Sequence, residues 1–152
     1  ALEKTHARGV AIRILLDPNK DAFGYTKMGI PNRQTAHILQ QEGLAVRWFD
    51  THGEQGHAKM LHAHFIDGRD LLLIGSCNLT RRNLDNFNLE TSVALRGPID
   101  DPVFQDASAY FERVWGNQPG ERISAPYETY AEKSWTKRIF SRLLELMGIG
   151  TY

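Results

Sequence analysis

Only one cysteine, Cys77, occurs in the 152 residues. No disulfide can form within the chain, and nothing in it points to an oxidising compartment. An excess of one charge sign is missing as well, since 18 Lys and Arg balance 18 Asp and Glu. A dedicated nucleic-acid binder carries a basic surplus, so this balance sets that class back and leaves room for a local patch at most. No apolar run approaches the length of a bilayer span, and no signal-peptide pattern opens the chain. Internal repeats and low-complexity tracts are also lacking. What remains is ordinary, with 41% hydrophobic and 24% charged residues, enough for one domain with a core of its own.

The chain starts at Ala1 rather than Met, and its first segment already reads as helix. The expectation is therefore a single domain over 1–152, cut from a longer protein, with any targeting segment outside it. Residues 1–8 are good helix formers stopped by Gly9. A β-branched apolar run (10–16) predicts a buried strand ended by Asp17-Pro18-Asn19. The stretch from Lys20 to Pro31 lacks periodicity and is expected to be a long loop. Asn32 is the expected cap of a helix that Gly43 stops, and 44–49 is a second strand.

A long strand over 57–67, a turn at Gly68-Arg69 and a returning strand over 70–76 predict a hairpin. A loop containing Asn78, Arg81 and Arg82 precedes a strand over 88–97. A helix over 101–115 shows Val103, Phe104, Ala107, Phe111 and Trp115 on one stripe. A long terminal helix, or a broken pair, is expected over 127–148. The order strand–helix–strand, hairpin, helices predicts an α/β fold, a mixed β-sheet flanked by helices.

Two short groups carry chemistry, His57-Ala58-Lys59 and Ser76-Cys77-Asn78. Residues two apart on a strand point the same way, so His57 and Lys59 are expected to share a face. The hairpin between the groups would bring their ends together. That gathers a nucleophile or acid/base, a cation and neutral donors around one point, a set suited to a phosphoryl group.

These residues stand in longer motifs: Gly-Glu-Gln-x-His-x-Lys (53–59), Ile-Gly-Ser-x-Asn-Leu-Thr-Arg-Arg-Asn-Leu (74–84) and Asn-x-Glu (88–90). In order and identity they resemble the signature region of the phospholipase D superfamily, namely His-x-Lys, an Asp after four residues, then Gly-Ser-x-Asn after six more. His57 and Ser76 stand four positions farther apart than in that motif, and the motif's Asp would fall on His64. Asp67 and Asp70 are the nearest substitutes, and alternation would place Asp67 on the face of His57 and Lys59. A longer hairpin accounts for the spacing without moving its two ends.

The resemblance implies a phosphodiesterase or phosphatidyltransferase that works through a phosphohistidine, with no metal or other cofactor. It implies His57, Lys59, Asn78, Ser76 and Glu90 as catalytic residues, with Glu90 bonded to the far nitrogen of a catalytic histidine. Arg81, Arg82 and Asp67 are candidate substrate contacts. Family members build one site from two such motifs, so a second His-x-Lys half is expected from the rest of a longer chain or from a second copy. The first substrate class is phospholipid and the second nucleic acid. A cytoplasmic or peripheral membrane location is compatible with both.

Each reading has a plainer counterpart. Ser76 can serve only the turn, Arg81 and Arg82 a solvated loop, and Cys77 can be an inert buried thiol. The apolar residues of 127–148 (Trp135, Ile139, Phe140, Leu143, Leu144, Met147) can pack on protein rather than lie on a membrane. The rival chemistry is a metal-dependent hydrolase. His62 and His64 share the strand face opposite His57, at a metal-ligand spacing, and Asp67 or His52 is available to join them. The rival to catalysis altogether is a half that only binds a phosphate ligand.

Overall fold

The computed structural model describes residues 1–22, 25, 26, 29, 31–78, 81–84, 89–132, 134, 136, 139 and 143, with backbone alone at 21, 22, 25, 26, 81 and 82. The elements in chain order are α1 (Leu2–His6), β1 (Arg13–Leu16), β2 (Asp21–Ala22), β3 (Tyr25–Thr26), α2 (Asn32–Gln41), β4 (Ala45–Phe49), β5 (Met60–His64), β6 (Arg69–Gly75), α3 (Arg81–Leu84), β7 (Ser92–Pro98), α4 (Pro102–Gly116), β8 (Ser124–Pro126) and a 3-10 turn at Tyr127–Thr129. They fall into two compact units, Ala1–Gly56 with Trp115–Gly150, and His57–Val114. The α/β class holds. The expected mixed sheet is found in the first unit, and a separate antiparallel sheet forms the second.

In the first unit β4 is the central strand, parallel to β1 on one side and antiparallel to β8 on the other. The parallel pair needs a crossover, and α2 supplies it. Alternation along β4 buries Val46 and Trp48, which join Ala36 of α2 in the core, with Ile14, Leu16, Leu39, Tyr127 and Tyr130 packed around them. Trp48 is wholly buried, so its indole needs a partner. Its Nε1–H donates to Tyr127 O at 2.7 Å, and its ring stacks on that of Tyr127 at 6.2 Å. On the opposite face of β4, Arg47 lays its guanidinium 5.7 Å from the centre of the Trp115 ring, and Arg13 of β1 does the same at 5.6 Å.

Several segments of the first unit differ from what their sequence suggests. The long loop over Lys20–Pro31 contains the short β2–β3 pair. Asn32 is the first residue of α2 rather than its cap. Its side-chain amide instead donates to Asp17 O and Asn19 Oδ1, both at 2.9 Å. Gly43 does end the helix, at φ +81°, a conformation that side-chain-bearing residues rarely adopt. At the end of β1, Asp17 accepts the Asn19 N–H at 2.7 Å and the Gly56 N–H at 2.6 Å, tying down the peptide just before His57. No helix starts at 127. Tyr127 opens a 3-10 turn after β8, and Ala131 and Glu132 are irregular. Most of the expected terminal helix, including Trp135, Phe140, Leu144 and Met147, lies outside the described residues.

The second unit is an antiparallel meander, β5–β6–β7, with α4 over one face. Leu72, Phe104 and Ala107 form its core, flanked by Met60 and Leu95. The stripe expected on α4 buries Phe104 and Ala107, whereas Val103 stays exposed and Val114 is buried instead. The strand expected over 57–67 is only Met60–His64, because residues 65–68 are spent on the turn.

The indole bond gives a direct test of the first unit's core. Trp48→Phe removes the donor to Tyr127 O and part of a fully packed ring. The loss should be about 2–3 kcal/mol of unfolding free energy, read as a lower urea midpoint at unchanged slope.

Candidate active site

The β5–β6 register decides which side chains meet. Met60 pairs with Ile74, and the ladder runs to His64 opposite Asp70. One step beyond the strand, the Gly75 N–H donates to Lys59 O at 3.3 Å. The end of His-x-Lys therefore lies beside the start of Gly-Ser-x-Asn, as the hairpin argument required. The reason given for a shared His57/Lys59 face does not carry over, because both residues precede β5. Lys59 instead turns back on its neighbour, its Nζ donating to His57 O at 2.7 Å. His57, Ser76 and Asn78 are exposed and Lys59 is half-buried.

β7 completes this edge. The Ser76 N–H donates to Thr91 O at 3.0 Å, and the Thr91 N–H donates to Ser76 Oγ at 3.2 Å. Gly75 is required by this closeness: a Cβ there would collide with Thr91 O and with Ser92 Cα. The glycine of the motif is thus a packing requirement of the strand that follows it.

Glu90 is held within this sheet edge. Its Oε2 accepts the Ser76 hydroxyl at 2.5 Å, and its Oε1 accepts a short bond from the Asn83 amide on α3. Among the described residues its hydrogen bonds go to these two and to no histidine. Asn83, which is buried, had not been singled out from the sequence. It stands inside the quoted motif, but only the structure shows that it meets Glu90. The segment expected as a loop through Arg81 and Arg82 starts α3, and the expected phosphate contacts of these two side chains lie outside the described residues. Cys77 is half-buried and its thiol donates weakly to Asn78 O at 3.4 Å.

Asp67 is not at this edge. It sits in the hairpin turn, accepts the Arg69 N–H at 3.2 Å and pairs loosely with the Arg69 guanidinium at 3.9 Å, both side chains being exposed. The turn ends the strand at His64, so alternation cannot carry Asp67 back to the face of His57. Asp70 is the carboxylate that the hairpin buries. It is fully buried. It accepts from His62 Nε2 at 2.7 Å and from His64 Nδ1 at 2.9 Å. Burial pushes its pKa up, but the hydrogen bonds from His64 and His62 outweigh that and hold it below the ordinary value. The pair of histidines is thus a hydrogen-bonded element with Asp70 at its centre, and neither Asp67 nor His52 takes part. His52 belongs to the other unit and lies 3.7 Å from Asp50.

The two motifs thus meet at one sheet edge of an α/β chain. Residues 1–115 match the family described as cardiolipin synthase, PLD-like domain. The chain belongs to this family, and through it to the phospholipase D superfamily. No curated protein and no solved structure matches the chain. Among the described residues no helix is long and apolar enough to cross a membrane.

Two substitutions test this geometry. Gly75→Ala should cost about 1–3 kcal/mol through the clash with β7, measured by urea unfolding. Asp70→Asn should also cost about 1–3 kcal/mol near neutral pH, because it replaces a charged acceptor shared by two rings. Since the folded pKa of Asp70 is lowered, its contribution is present above the ordinary carboxylate value of 3.8. It is lost as the pH falls through the lower folded value. The stability gap between wild type and variant should therefore close on acidification below that range, and a gap constant from pH 7 to pH 3 would refute the assignment.

Proposed function

We propose that this chain is the His-x-Lys half of a phospholipase-D-type phosphodiesterase or phosphatidyltransferase, with His57 as the reacting histidine. The observation that carries the reading is the bond from Gly75 N–H to Lys59 O, which makes one edge of the two motifs. In the first step one histidine nitrogen bonds to phosphorus as the phosphorus–oxygen bond to the leaving group breaks. The histidine of the other half gives that oxygen its proton. In the second step the same group takes a proton from water or an alcohol, whose oxygen attacks phosphorus and releases the first histidine. Lys59, with Asn78 and Ser76, supplies charge and donors to the non-bridging oxygens, so the chemistry calls for no metal.

Glu90 acts here by holding the Ser76 hydroxyl and, through Asn83, the start of α3. The second half comes from the rest of a longer chain or from a second copy. Phospholipid is the first substrate class, favoured by the family's cardiolipin-synthase description and by the balanced net charge. Nucleic acid is second. A half that binds phosphate without turnover is the non-catalytic rival.

The test is hydrolysis of a chromogenic phosphodiester in EDTA at high protein concentration, wild type against His57→Ala. Turnover that survives EDTA and falls at least about a hundredfold in the variant is the expected result. Wild-type turnover abolished by EDTA, or equal turnover in the variant, would sink the phosphohistidine reading.

A further inference from the structure

The opposite end of the same hairpin carries a group that phosphodiester chemistry does not use. His62 Nε2, His64 Nδ1 and a carboxylate oxygen of Asp70 all lie within 4.8 Å of one another. We propose that His62, His64 and Asp70 form a binding site for one divalent transition-metal ion of the zinc type, separate from the His57 edge and structural rather than catalytic.

Three observations carry this. The first is the donor set. Two imidazole nitrogens with one carboxylate oxygen suit Zn²⁺ or Co²⁺, whereas Mg²⁺ and Ca²⁺ prefer oxygen ligands throughout. The second is that the backbone fixes the set in advance. His62 and His64 are two apart on β5 and so share a face, and His64 is the cross-strand partner of Asp70 on the central strand β6. Their ring centroids are 4.5 Å apart. The third is support behind the ligands and access in front of them. Ser108 Oγ, on α4, stands 3.5 Å from His62 Nδ1, and the Phe104 ring lies 6.0 Å from the His62 ring. The side chains of His62 and Asp70 are 8% and 1% exposed, but that of His64 is 55% exposed. An ion can therefore enter past His64, and water can fill its open positions.

Loading needs no co-reactant. In the metal-free triad each ring gives an N–H to Asp70. On binding, the proton of His62 moves from Nε2 to Nδ1, where Ser108 Oγ accepts it. The proton of His64 moves from Nδ1 to its solvent-facing Nε2. Both freed lone pairs and the carboxylate then bind the ion, and the other ring nitrogens keep a hydrogen-bond role of the kind that orients metal-ligating histidines. The extended chain rises about 3.4 Å per residue, so His64 stands about 17 Å along the strand from Lys59. An ion there would clamp β5 to β6 and take no part at His57.

The test uses the whole chain stripped with chelator and then dialysed free of it. Co²⁺ titration should give visible d–d absorption that saturates at one ion per chain, and competition with a chromogenic chelator should give the Zn²⁺ affinity. His64→Ala, and His64→Gln as a variant that keeps the bulk and polarity, should each weaken Zn²⁺ binding at least tenfold. Zn²⁺ should raise the thermal midpoint of the wild type more than that of either variant at the same concentration. Absence of stoichiometric binding, or equal affinity in the wild type and both variants, overturns the proposal. These readouts are independent of turnover, so they stand apart from the fate of the phosphohistidine reading.

Discussion

The register of β5 against β6 is the constraint on which the second unit depends. A strand has period two, so a slip of one residue would carry His62 and His64 to the face away from Asp70 and Leu72. It would also break the step that sets Lys59 beside Gly75. One requirement holds that register, and two more fix β6 against its other neighbours. Leu72 must point at Phe104 and Ala107, since that is where α4 covers the sheet. Asp70, fully buried and charged, must find donors, and only the native pairing brings His62 and His64 to it. Gly75 must be opposite Ser92, since no larger residue lets β7 come so close. The buried carboxylate thus aligns β5 with β6, while hydrophobic burial and a missing side chain seat β6 against α4 and β7.

In the first unit the equivalent role falls to β4. Its alternation puts Trp48 under α2 and Arg47 beside Trp115, so one strand organises both faces. The segment that follows is tied at several points. Lys20 Nζ donates to Thr51 O at 3.2 Å, Arg122 and Tyr130 hold the Asp50 carboxylate at 2.7 and 2.8 Å, and Asp17 holds the Gly56 amide. Asp17 and Asn19 break β1, but their side chains also gather the start of α2 and the peptide before His57. The turn signal at 17–19 was legible, and its use as an anchor was not, because the partners are far away in sequence.

The same distinction runs through the site. Elements with strong local signals were readable: β4 from its β-branched and aromatic run, α2 from its Gly43 stop, the hairpin from Gly68, α4 from its stripe. So were the two motif groups, whose chain order carried the family resemblance. What failed were inferences that extended a strand past its real end. Placing Asp67 on the face of His57 requires unbroken alternation over 57–67, but β5 begins only at Met60 and the last three of those residues fall in the turn. The donors that Glu90 meets, Ser76 and Asn83, lie 14 and 7 positions away, so its contacts follow from the tertiary fold rather than from a local signal. Asp70 was visible only as a substitute for the motif's Asp, since its pairing with His64 depends on a register that the turn length sets.

The four positions by which this hairpin exceeds the motif also have a physical logic. Pairing at the Lys59–Gly75 end is tied to the third strand by Gly75, Ser76 and Thr91, so extra residues cannot be absorbed there without moving the two motifs apart. They can be absorbed toward the turn, and a symmetric extension of a hairpin adds residues to both strands alike. Four positions are two per strand. Two is the period of the sheet, so every residue closer to His57 keeps its face and its partner. An odd number per strand would have inverted the outlook of one end relative to the other. The added length is where His62, His64 and Asp70 meet. A lengthening that leaves the Lys59–Gly75 edge untouched therefore creates, away from that edge, a place where two imidazoles and a carboxylate converge.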